Sequence, residues 1–130
     1  MRPGLSPSGR SPTGLADAEC GSATVLSVGV LASAVVLAAG FTAVGQAAAA
    51  RHQAQGAADA AALAGAALVL SAPEKACDAA GALVAENGAE MEGCEVNDLE
   101  VTVQAAAEPA GVGGLFGPAR ATSRAGPVTA

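Results

Sequence analysis

The residues able to do chemistry in this chain are few: one histidine, three cysteines and twelve carboxylates. His52 stands beside Arg51 with no second imidazole to join it. Neither a histidine-bound metal nor a base–nucleophile pair can be assembled there, so His52 reads as an interfacial residue. Cys77 and Cys94 lie far outside the C-x-x-C spacing of redox and zinc sites. In an exported location they could pair, closing a loop whose cross-link stabilises by roughly 3 kcal/mol; two free thiols are the alternative. Cys20 is left odd at the edge of an apolar run and reads as a buried or acylatable thiol. Nine of the twelve acids fall within residues 74–108. Glu86, Glu90 and Glu92 among them lack an EF-hand pattern and could hold calcium only loosely, so the run reads as a solvated face. "GVGGLFG", residues 111–117, is followed by Pro118 and no helix, which excludes a phosphate-cradling loop. The expectation is a protein without catalytic residues, metal or cofactor, and not an enzyme.

Composition says what such a chain could be instead. Of its 130 residues 52 % are hydrophobic but only 2 % aromatic, with no Trp or Tyr, so the apolar content is Ala and Val. That suits a long helix or a bilayer better than a globular interior, where large side chains supply most of the burial energy. The net charge is −6, and the basic residues Arg2, Arg10, Arg51, Lys75, Arg120 and Arg124 are scattered. Without a basic patch there is no electrostatic footprint for nucleic acid.

Five segments follow along the chain. Residues 1–20 mix Pro, Gly, Ser and Arg without apolar periodicity and are expected as a disordered tail. Residues 21–50 carry no charge at all. "ATVLSVGVLASAVVLAAGFTAVG", residues 23–45, would reach about 35 Å as a helix against a hydrocarbon core of about 30 Å, so 21–47 is expected to cross a membrane. Gly29 with Ser33, and Ala39 with Ala43, are small-xxx-small pairs that would let such helices associate. The rival is a cleaved secretory signal with Ala47 and Ala49 as its site. Signal cores, however, run to only about 7–15 residues after a basic start, and here Asp17 and Glu19 sit on the approach. Arg2, Arg10 and the amino terminus set against Arg51 mildly favour a cytoplasmic N-terminus.

The helix is expected to continue as an Ala-rich extension, residues 48–72, because Ala is the best helix former and Pro73 is the first breaker. Arg51, Gln55 and Asp59 form a polar stripe along it. Ala57, Ala61, Ala64 and Leu68 lie on smooth faces suited to close packing against another helix or a filament. An exposed Ala-rich spacer is the alternative. Residues 73–107 read as a small α+β head. Ala76, Ala80, Leu83 and Val84 line one side of a short helix ending at Asn87-Gly88, and "EGCEV" and "LEVTVQA" flank Asn97-Asp98 as a hairpin. Residues 108–130 are Gly/Pro-rich and expected to be disordered, with Leu115 and Phe116 their large apolar pair. The fold class is therefore mainly α: one long N-terminal transmembrane helix and its extension, a small α+β head and disordered termini.

"QGAADAAALAGAA", residues 55–67, preceded by "RHQA" and by a span opening "GSATV", resembles the TadE/TadG-like proteins of Flp (tight adherence) pilus assembly, most closely the short TadE-like proteins of actinobacterial secretion clusters. The resemblance implies a single-pass, pilin-like minor component of the cytoplasmic membrane with its C-terminal part outside the cytoplasm. Its implied partners are the membrane, subunits of a pilus or secretion machine with an ATPase-driven platform, and other copies through helix contacts. Related prepilins are cut after a Gly with a Glu five residues on. Here Gly21-Ser22 is the candidate junction but Leu26 holds the Glu position, while Gly14 has Glu19 at that spacing ahead of the apolar run, so processing stays open. The alternative function is a generic membrane-anchored or secreted binding protein whose alanine helix is a stalk.

Overall fold

The computed structural model describes residues 4 and 14–128. Its elements are α1 (Gly14–Val69), α2 (Pro73–Glu86), β1 (Glu90–Asn97), β2 (Glu100–Ala107), a 3-10 turn η1 (Gly111–Phe116) and β3 (Ala119–Ala125). The chain divides into two compact units, residues 1–39 and 40–130.

In the first unit the described structure is helical from Gly14 onward. Residues 14–20, expected as part of a tail, are therefore helix; residues 1–3 and 5–13 of that tail lie outside the described residues. "LADAE" contains nothing that breaks a helix, and its alanines favour one. Val25, Leu26, Val28, Val30, Leu31, Val35, Val36 and Leu37 are all between 60 and 73 % exposed. A helix in water would bury such a set against a core. This one buries none of its most apolar stretch, and its length and hydropathy suffice to cross a membrane.

The second unit is built on the continuation of α1. Its buried residues are Ala50, Ala54, Ala57, Ala58, Ala61, Ala62, Gly65 and Val69, recurring at the three- and four-residue steps that one helix face requires. Above this face lie α2 and an antiparallel sheet in the order β1-β2-β3. Pro73 both ends the run of α1 and opens α2, where its missing N–H costs nothing. At the other end of α2, Gly88 (φ +69°) returns its N–H to Ala85 and Ala89 returns its own to Val84, a Schellman closure that turns the chain into β1.

β2 is the central strand, and its Val101, Val103, Ala105 and Ala107 are buried against the helices. With Val84, Val101 and Val103 are the largest side chains fully enclosed. So lean a core works only if the layers approach closely. A Cβ placed on Gly65 would stand 2.9 Å from Val101 Cγ1 and 3.3 Å from the Ala76 carbonyl oxygen, so only glycine permits the seat of α1 against β2 and α2.

Two expectations about the head are revised. The hairpin turn is Asp98-Leu99, one residue later than read, with Asn97 paired to Glu100 and Asp98 at φ +54°, a conformation Asp tolerates. The sheet has three strands rather than two. β3 and η1 fall in the segment expected to be a disordered tail, because the polar–small alternation of "ARATSRA" suffices for a strand once β2 offers its free edge. Residues 50–69, for which an exposed spacer was the alternative, form one wall of the head's core.

Candidate functional site

No group of three or more His, Cys, Asp or Glu is placed to hold a metal ion among the described residues. His52 is exposed on α1. Cys77 on α2 and Cys94 on β1 are joined as a disulfide with their Cα atoms 5.8 Å apart, so neither is a thiol nucleophile. Glu92 faces Arg120, whose Nε donates to it at 2.9 Å across the outer side of the sheet, and Arg124 Nε lies 3.4 Å from Glu100. Both pairs are exposed and each contributes at most about 1 kcal/mol. They give two scattered arginines structural partners rather than forming a basic site.

What remains to act is surface, and α1 provides most of it. The face proposed for packing against other molecules is largely taken: Ala57 and Ala61 are 1 % and 0 % exposed under the chain's own head, while Ala64 and Leu68 are half-buried at its edge. The cause is simple. A stripe of small side chains admits any close neighbour, and the nearest apolar layer is the sheet and helix that follow in the same chain. Arg51, Gln55 and Asp59 do lie together on the exposed side, with Gln55 Nε2 donating to Asp59 Oδ1 at 3.0 Å. Gly21 and Ser22 lie within α1, both exposed, and a Cβ on Gly21, Gly29 or Gly40 would meet open space.

Two glutamines missed from sequence fix the head onto α1. Gln53 Nε2 donates to the carbonyl oxygens of Asn87 at 2.9 Å and Gly88 at 3.2 Å, satisfying acceptors at the end of α2. Gln46 Oε1 accepts the Gly113 N–H at 3.1 Å and so holds η1. The available signal was their spacing: two amides seven residues apart flank the first alanines of a helix face and lie on the same side of it.

Among the described residues, two apolar grooves border the head. One, of about 500 Å³, is lined by Leu63, Ala66, Val69, Leu70, Leu99 and Pro127. The other, of about 520 Å³, lies between α1 and the η1–β3 segment, among Ala43, Val44, Arg51, Pro109, Phe116 and Arg120.

Residues 21–68 match the family model for Flp pilus-assembly TadE/G-like proteins. The matched stretch lies wholly within α1, and it contains the "QGAADAAALAGAA" run that carries the resemblance. The description of that model names pilus assembly. No curated protein and no solved structure matches the chain.

Proposed function

We propose, starting from the TadE/G-like match of α1, that this chain is a single-pass, pilin-like minor component in assembly of a Flp-type pilus or related secretion system. The observation that carries the reading is the division of labour along the matched helix. Residues 25–44 expose valines, leucines and Phe41 on all sides, and the next turns bury alanines under a folded head. A helix so made anchors in lipid and presents a small domain directly at the membrane surface. The N-terminus stays inside and the head lies outside the cytoplasm. The Cys77–Cys94 bond supports that orientation, since disulfides persist in oxidising compartments.

The protein acts by contacts rather than chemistry. Since Ala57 and Ala61 are occupied internally, lateral contacts with pilus subunits, or with a second copy, fall to the span and to the exposed polar stripe of Arg51, Gln55 and Asp59. Gly29 and Gly40, with open space around them, allow close helix approach within the membrane. An ATPase-driven platform would meet the span or the cytoplasmic end of α1. The exposed-stalk alternative is disfavoured because the alanine segment is enclosed.

The test is genetic complementation. Cells lacking this chain are expected to lose Flp-type pili from their surface and to regain them with the full-length protein, but not with Leu31→Arg, which places a charge in the middle of the span. Pili at normal number in the deletion strain would overturn the reading.

A further inference from the structure

We infer that η1 is a second membrane contact: Leu115 and Phe116 dip into the phospholipid leaflet at the point where α1 leaves it. The inference rests on the proposed membrane span but concerns a different part of the chain. Leu115 and Phe116 are 84 and 77 % exposed, and Val112 beside them is 48 % exposed. In water, apolar side chains at the tip of a Gly-rich turn gain nothing from that exposure. Their height along α1 is fixed by the structure. Gln46, the first strongly polar residue after the apolar run, holds the Gly113 N–H at 3.1 Å. A Cβ on Gly113 would stand 2.9 Å from Gln46 Cβ, so the turn is pressed against the helix at that level.

Three further facts identify lipid as the occupant. The groove beneath η1 is continuous with the span, since Ala43 and Val44 line it together with Phe116. The chain has two aromatic residues, both 77 % exposed: Phe116 lines this groove, and Phe41 lies about 3 Å before Ala43 along the helix, on the side of the apolar run. Arg51 lines the same groove and stands about 9 Å beyond Gly45 along a helix, just past a headgroup layer of about 5–8 Å, so its long side chain can reach back to the phosphates. Arg120 also lines it, held by Glu92. Apolar tips below a cation are the arrangement that binds an interface, with side chains buried about 5–10 Å into the boundary between headgroups and acyl chains. A head gripped this way cannot swing freely about its helix, so its outer surface would be presented to partners at a fixed orientation.

The wild-type chain has no Trp, so single substitutions report cleanly. Full-length Phe116→Trp, Leu115→Trp, Val35→Trp and Leu70→Trp would be reconstituted in vesicles of phosphatidylcholine and phosphatidylglycerol, 3:1, with and without brominated acyl chains, after confirming that each keeps its disulfide. Phe116→Trp and Leu115→Trp are expected to lose emission about two-fold or more to bromines near the headgroups, as their depth requires. Val35→Trp should be quenched by deeper bromines, and Leu70→Trp, 83 % exposed just past α1, by neither. If Val35→Trp is quenched while both η1 probes behave like Leu70→Trp toward acrylamide, the inference fails and the span stands. Shielding from acrylamide without bromine quenching also overturns it, because protein then fills the groove. An unquenched Val35→Trp sinks the span and this inference with it.

Discussion

Ala58→Glu is expected to unfold the head, whereas Gly56→Ala, two residues away on the same helix, should stabilise it slightly. Ala58 is 0 % exposed within the core formed by α1, α2 and β2. Among the described residues that core contains no buried polar or charged side chain that could receive a carboxylate. An unpaired charge there costs about 3–5 kcal/mol, a large share of the total stability of so small a domain. The glutamate also needs volume in a place where even a methyl on Gly65 would collide with Val101. Gly56 faces open space, and replacing it removes a helix-propensity cost of about 1 kcal/mol. Thermal denaturation of the full chain in detergent, followed by circular dichroism, separates the two. If Ala58→Glu keeps the wild-type midpoint, the alanine face is not enclosed as described.

That pair also shows what the sequence could and could not convey. The 3.6-residue recurrence of alanine announced a buried helix face. It could not say what buries it, because small side chains are as compatible with a neighbouring subunit as with the chain's own sheet. The long apolar helix was legible because an uncharged run of that length leaves a one-dimensional mark that needs no partner to interpret it. α2 was legible from Ala76, Ala80 and Val84, which recur on one face and are buried. β3 was hidden because its alternation is of small with polar residues. Ala119, Ala121, Ser123 and Ala125 have too little apolar contrast to signal a strand until the register with β2 is known. The spacing of Gln46 and Gln53 puts both on one side of α1 but does not name their partners, because the backbone groups they satisfy belong to distant turns.

Loss of the Cys77–Cys94 bond is expected to cost about 3 kcal/mol, with reduced wild type and Cys77→Ala/Cys94→Ala agreeing closely. The reason lies in the side chains available. A buried alanine methyl contributes about 0.8 kcal/mol, against roughly 1.5–3 kcal/mol for a fully buried leucine, and this core encloses nothing larger than valine. With so little apolar area, restricting the unfolded chain supplies a large part of the margin. The bond also joins α2 to β1, the edge strand of the sheet. Denaturant midpoints of the full chain measured with and without reductant test this. Coincident midpoints would mean that packing alone sustains the head.

The central proposal is that residues 21–47 are solvated by lipid. It is tested most directly by alkaline carbonate extraction of membranes from cells producing the full chain. The account predicts that the intact polypeptide stays in the membrane pellet and leaves it only with detergent. Intact polypeptide released into the carbonate supernatant would contradict it.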